Sequence, residues 1–237
     1  MKKLLFLLLL PTLSFGQKYV EHPLPAKKPY PQILGYVSYV PSNEKLPLLV
    51  ALGGYGQNPG NGRTDLYKLM SDGIGDMLRD NNWKQDSFIV VLPQSGSKEY
   101  NPKALHNFIE YVKVNYNVDT SRIYITGLSG GSNSLYKYLA LYRCTAAIAI
   151  SGAGNYKQVC NNQTTKTPLW AFHGELDGVV KPGPDKILIP KYNMCIPIDH
   201  EHAELTIYPG AGHNVWDRTY ANDMIYRWLL FHRTTYK

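Results

Sequence analysis

Past the middle of the chain stand Thr126-Gly127-Leu128-Ser129-Gly130-Gly131-Ser132-Asn133. Residues 122–126 before this stretch read as a strand, and residues 134–142 after it read as a helix. Gly127-Leu128-Ser129-Gly130-Gly131 therefore sets a serine at a strand-to-helix turn, with a glycine two residues away on each side. Such a turn raises the serine hydroxyl over the sheet, near the positive end of the following helix. A pattern of three fixed positions in five also arises by chance, and a glycine-rich loop without chemistry would look the same in isolation. The flanking elements favour the turn that carries a nucleophile.

Outward from this turn, extended and helical patterns alternate. Residues 33–39, 46–52, 87–92, 146–150, 169–172 and 204–208 read as strands. Residues 101–116 read as a helix, with Leu105, Phe108, Ile109, Val112 and Tyr116 recurring at three- and four-residue spacing. Residues 219–232 read as one closing helix, with Ile225, Trp228, Leu229 and His232 on one face. Alternation of this kind gives an α/β fold, a mostly parallel central sheet flanked by helices, with reactive groups gathered at the carboxyl ends of the strands.

A serine nucleophile needs a base, and the base needs an acid to orient it. Downstream, the strand ending at His173 runs into Gly174-Glu175-Leu176-Asp177. The strand 204–208 runs into Pro209-Gly210-Ala211-Gly212-His213. The chain order Ser129, Asp177, His213 is that of a nucleophile, an orienting acid and a base. Glu175 is the rival acid but lies nearer its strand end. His173 reads as a structural residue holding the turn that carries Asp177. His106 and His232 read as helix-surface or packing residues, and His22, His200 and His202 as solvated. An oxyanion hole calls for two backbone N–H groups aimed at the developing charge. Gly130 supplies one; the loop Gly53-Gly54-Tyr55-Gly56 after strand 46–52 supplies the other, assigned to Tyr55. Trp216, Tyr55 and Tyr100 are candidates for the wall of the substrate cleft.

The 237 residues suit a single domain, and with 44% hydrophobic and 18% charged residues the chain has a core to build. The net charge of +7 is partly carried by Lys2 and Lys3. No basic run or interleaving of basic and aromatic residues suggests a nucleic-acid track. Residues 1–16, with two lysines, the apolar run Leu4 to Leu10 and small residues at 14 and 16, read as a secretory signal peptide cut between Gly16 and Gln17. That apolar run is too short to span a bilayer, so the product is expected to be exported, without stable membrane insertion. Residues 17–32 read as an irregular lead-in and 33–237 as the catalytic domain. Of the three cysteines, Cys144 reads as buried, and Cys160 with Cys195 as the better pair. No Cys-x-x-Cys or His-Glu-x-x-His pattern supports a metal site, and no cofactor is called for.

Taken in order, these segments resemble the α/β-hydrolase superfamily. More narrowly, the chain resembles secreted esterases of the polyhydroxybutyrate-depolymerase, feruloyl-esterase and acetylxylan-esterase group (carbohydrate esterase family one), with related predicted peptidases. The resemblance rests on Ala51-Leu52-Gly53-Gly54-Tyr55-Gly56, on 118–124 leading into Gly127-Leu128-Ser129-Gly130-Gly131, on His173-Gly174-Glu175-Leu176-Asp177, and on Gly212-His213-Asn214-Val215-Trp216-Asp217. It implies a serine esterase acting through an acyl-enzyme on an ester substrate, acylated polysaccharide being one candidate. A peptidase of the same fold is the alternative within enzymes, and a non-catalytic binding protein retaining the fold is the alternative outside them. Two departures stand out. The group often has His-Gly where this chain has Gly53-Gly54, and a bulkier residue, often Met, where it has Gly130. Glycine there is expected to loosen the oxyanion hole or admit a bulkier acyl group.

Overall fold

Along the central strands, neighbouring side chains fall alternately into two hydrophobic layers. Leu48, Val50 and Leu52 pack on one side of the sheet, while Leu49 and Ala51 pack on the other. The same division holds for Ile89 and Val91 against Val90 and Leu92. A strand whose residues are apolar at every position is one buried on both faces, as in a parallel sheet covered twice.

The computed structural model describes residues 19–24, 32–154, 167–196 and 203–234. Its strands are β1 (Tyr19–Pro23), β2 (Ile33–Tyr39), β3 (Leu46–Leu52), β4 (Ile89–Ser95), β5 (Val118–Leu128), β6 (Ala146–Ile150), β7 (Leu169–Gly174) and β8 (Glu204–Tyr208). They form one eight-stranded sheet in the order β1-β2-β4-β3-β5-β6-β7-β8. β1 and β2 are antiparallel to their neighbours, and all pairs from β4 through β8 are parallel.

Helices α2 (Pro102–Asn115), α3 (Gly130–Leu139) and α4 (Gly183–Met194) cover one face. On the other lie a short 3-10 helix (Leu66–Met70), α1 (Ile74–Arg79), α5 (Trp216–Tyr220) and α6 (Asp223–Phe231). α2 starts where the Asn101 side chain accepts from the N–H groups of Lys103 and Ala104, with Pro102 in the first turn. Leu105, Phe108 and Val112 on its inner face are fully buried, each worth roughly 1.5–3 kcal/mol of transfer from water.

The sheet and its helices follow the sequence expectation in outline, but the 3-10 helix and α1 had no sequence assignment, β5 and α3 both begin four residues earlier than read, and further differences lie at the sheet edge and among the other helices. Residues 19–23, read as part of an irregular lead-in, form the edge strand β1, paired to β2 from Tyr19 opposite Tyr39 to Pro23 opposite Gly35. There His22 is not solvated: its Nε2 lies 2.8 Å from Ser38 Oγ and its ring stacks on Tyr36. The closing helix is two helices, because the Asn222 side chain caps α6 by accepting from Met224 N and its extended backbone ends the path of α5. β4 continues past Leu92 to Ser95. α4 had no sequence assignment; it follows Pro182 and carries Pro184 and Pro190, yet buries Leu188, Ile189 and Tyr192 against the core.

Cys195 is disulfide-bonded, and Cys144 is free and buried. The expected signal peptide, its cleavage site, Cys160, His200 and His202 lie outside the described residues. Among the described residues, no helix is long and apolar enough to cross a membrane.

Candidate active site

The chain leaves β5 at Leu128 and enters α3 at Gly130 with only Ser129 between them. Ser129 adopts φ 51° and ψ −118°, a conformation that costs a side-chain-bearing residue on the order of 1–3 kcal/mol. Surrounding contacts hold it there. Ser129 N donates to Ile150 O at 2.8 Å, and Ser129 O accepts from Asn133 N at 3.1 Å. The two outer glycines are required by close approach. A β-carbon on Gly127 would lie 2.6 Å from the carbonyl carbon of Gly131, and one on Gly131 would lie 2.1 Å from Leu52 O.

Three segments distant in sequence then meet. His213 Nε2 lies 2.9 Å from Ser129 Oγ, and His213 Nδ1 lies 2.7 Å from Asp177 Oδ2. A carboxylate only accepts, so Nδ1 carries the proton and Nε2 accepts from the serine hydroxyl. Asp177 Oδ1 accepts from the N–H groups of Val179 and Val180, each at 2.8 Å. Burial alone would raise the Asp177 carboxyl; the His213 hydrogen bond and the two N–H groups instead hold it below the ordinary carboxylate range. Glu175 points elsewhere, accepting from Gly210 N at 2.9 Å.

The loops bearing Asp177 and His213 are locked together. Leu176 N donates to Ala211 O at 2.8 Å, and a β-carbon on Gly174 would fall 2.0 Å from Gly212 O. Ser151, buried at the end of β6 with φ 49°, donates its hydroxyl to His213 O at 2.7 Å. The His213 ring stands edge-on to Trp216, with centroids 5.2 Å apart.

The first glycine-rich loop is pinned by Tyr100, read from the sequence as a cleft wall, and by Gln57 and Asn58, which the sequence did not single out. Gly53 N donates to Tyr100 Oη at 3.1 Å, and Gly54 N donates to Gln57 Oε1 at 2.9 Å. The buried Asn58 accepts from Ser95 N at 2.8 Å. The Tyr55 N–H has no hydrogen-bond partner among the described residues. Gly130 is the first residue of α3, so its N–H has no partner within the helix. These are the two donors assigned from the sequence.

The cleft-wall candidates fare differently. Tyr100 is 2% exposed and its hydroxyl donates to Pro93 O at 2.8 Å. It is therefore corrected from a substrate contact to an internal brace of the loop. Trp216 is also buried and packs on His213 instead of facing an open cleft. Tyr55 is exposed; its hydroxyl donates to Glu99 Oε1 at 2.6 Å, and Glu99 pairs with Lys137. Its ring covers Gly130, so the space that a bulkier residue fills in the group resembled is filled here from the neighbouring loop. Among the described residues, no group of His, Cys, Asp and Glu side chains is arranged to hold a metal ion.

Sequence signals for the missed residues were thin. Gln57 and Asn58, two amides directly after a glycine-rich loop, are a fair hint of loop bracing. Nothing local marks Ser151, and nothing local marks Tyr100 as a brace instead of a cleft wall.

The sequence profile of the Phospholipase/Carboxylesterase family matches residues 93–225, more than half of the chain. No sequence relative is found among the curated proteins. Among solved structures, a thermostable esterase is 23% identical with a TM-score of 0.71 over 92% of this chain and 64% of its own. The chain thus spans slightly less than two thirds of that esterase. An acetyl xylan esterase from Aspergillus awamori is 17% identical, with a TM-score of 0.59 over 83% of this chain and 94% of its own. An acylaminoacyl peptidase from Pyrococcus horikoshii is 13% identical, with a TM-score of 0.57 over 86% of this chain and 40% of its own. At these identities the likeness is one of fold. The profile match and the sheet together place the chain: it belongs to the phospholipase/carboxylesterase family of the α/β-hydrolase superfamily.

Proposed function

We propose that this protein is an exported serine esterase that hydrolyses carboxylic esters through an acyl-enzyme on Ser129. The observation that carries the proposal is the hydrogen-bonded chain from Ser129 Oγ through His213 to Asp177, with separations of 2.9 and 2.7 Å. His213 Nε2 takes the hydroxyl proton as the serine oxygen attacks the ester carbonyl. Asp177 holds the ring in the required tautomer and stabilises the imidazolium that forms. The N–H groups of Gly130 and Tyr55 meet the oxyanion. His213 returns the proton to the departing alcohol, and water, activated by the same nitrogen, releases the acid.

Acyl groups on polysaccharide are the proposed substrate class. The half-buried Ser129, the exposed Tyr55 and the exposed Leu176 and Val179 on either side of Asp177 in the chain favour a large, accessible ester. The leader-like residues 1–16 and the disulfide at Cys195 support export to an oxidising compartment. The test is kcat/KM on p-nitrophenyl acetate for the mature protein beside Ser129→Ala, then on acetylated and feruloylated sugars beside short peptides. A loss of on the order of 10⁴–10⁶ in kcat is expected for the variant. Equal, slow turnover by both proteins contradicts the proposal, and preference for the peptides turns it to a peptidase.

A further inference from the structure

A second histidine lies directly behind the first. His173, at the end of β7, is completely buried. Its Nε2 lies 2.7 Å from Val180 O and 3.2 Å from Asp177 Oδ2, the same oxygen that receives His213. Its Nδ1 lies 2.8 Å from Oδ2 of Asp185, a fully buried carboxyl on α4. The other oxygen of Asp185 accepts from Tyr136 Oη at 2.9 Å.

These contacts constrain the protons. Val180 O only accepts, so Nε2 carries a hydrogen. Between Nδ1 and Asp185 one proton is shared, and it belongs either to the ring or to the acid. Asp177 decides between them. It is an ionised carboxylate, fixed by two backbone N–H groups, and it lies against the far side of the same ring. A ring between two carboxylates is more stable charged, and a buried charge persists when it is paired and hydrogen-bonded on both sides.

We propose that His173 is a buried imidazolium, clamped between Asp177 and Asp185, that positions the Asp177 carboxylate and offsets part of its charge. The inference rests on the reading of Ser129, His213 and Asp177 as a catalytic set. It assigns His173 a positioning role in that set beyond holding a turn. Burial alone would lower the proton affinity of His173; the Asp185 hydrogen bond, the Val180 carbonyl and the charges of Asp185 and Asp177 raise it above the ordinary histidine value.

The titratable groups around the ring come from four places. Asp177 is on its own loop, Asp185 on α4, Tyr136 on α3 behind Asp185, and His213 on the loop after β8 behind Asp177. Among the described residues, no lysine or arginine pairs with either carboxylate, so His173 is the cation that both share. The consequence for the reaction is a sign. A positive charge beside Asp177 makes that carboxylate a weaker stabiliser of protonated His213.

Two measurements test this on the mature protein. Long-range ¹H–¹⁵N correlation at pH 8 is expected to find both ring nitrogens of His173 protonated. Asp185→Asn keeps the size of the side chain and an acceptor for Tyr136, and its amide can donate to Nδ1, leaving His173 neutral. In that variant the acidic limb of kcat/KM against pH is expected to move up by about half to one unit, with the plateau changed less than about threefold. A singly protonated His173 in the wild type overturns the proposal, as does an unmoved limb in folded Asp185→Asn. The NMR measurement needs no turnover, so it reads the charge of His173 even if the esterase assignment fails. If Asp185→Asn does not fold, it decides the matter alone.

Discussion

The ring of Tyr55 lies across Gly130 so closely that a β-carbon on Gly130 would fall 2.0 Å from Cδ1 of Tyr55. The two residues assigned to the oxyanion hole are therefore in contact through the Tyr55 side chain. Gly130→Ala must push the ring aside, which strains its link to Glu99 and shifts the Tyr55 backbone. We expect kcat/KM to fall by about 10- to 100-fold, in the range of a displaced oxyanion donor. In a Tyr55→Ala background the same substitution should cost less than about threefold. A double-mutant cycle on p-nitrophenyl acetate measures this, and additive losses would refute it.

Gly131 faces backbone instead of a side chain. A β-carbon there would lie 2.1 Å from Leu52 O and 2.8 Å from Gly53 O, and neither can move without displacing β3. Gly131→Ala should lose more than about 3 kcal/mol of stability or fail to yield soluble protein. Gly178→Ala, where nothing lies within 4 Å of the added carbon, should stay within about 0.5 kcal/mol. Thermal melts of the pair provide the comparison.

Tyr100→Phe keeps the packing and removes the hydroxyl that receives Gly53 N and donates to Pro93 O. It leaves a buried N–H and a buried carbonyl without their partner. The expected loss is about 1–3 kcal/mol by urea denaturation, with a several-fold fall in kcat/KM because the loop that carries Tyr55 loses its brace. Unchanged stability would mean that water or Asn58 takes over the bond.

Asp119, at the start of β5, receives the Ser121 hydroxyl and N–H and the guanidinium of Arg122, with Arg233 at 3.2 Å. Burial alone would raise its carboxyl, but these donors pull it down to about 2. A carboxyl lower in the folded than in the unfolded chain stabilises the fold above the unfolded value, near pH 4. That contribution is lost as pH falls through the folded value. Wild-type stability should therefore drop between about pH 4 and pH 2. Asp119→Asn should be less stable by about 1–2 kcal/mol at pH 7 and flatter across that window. Denaturation midpoints at several pH values separate the two curves.

The order Ser129, Asp177, His213, the glycines around Ser129 and the central strands were legible before any coordinates. Each is written locally. Alternation and unbroken apolar runs mark strands, a turn declares itself by its glycines, and chain order carries over because β5 to β8, whose ends bear the three residues, lie side by side in sequence order. What lay beyond local reading is contact between elements that the chain brings together from afar. Tyr100 and Tyr55 are the same residue type in similar polar stretches, yet one is sealed beneath the loop and the other lies over Gly130. α4 was hidden because its prolines argue against a helix, while its stability comes from Leu188, Ile189 and Tyr192 packing on the core. That same helix carries Asp185 to His173. A charge pair of this kind has no sequence signature, because burial creates it: only when water is excluded do two carboxylates and an imidazole have to satisfy one another.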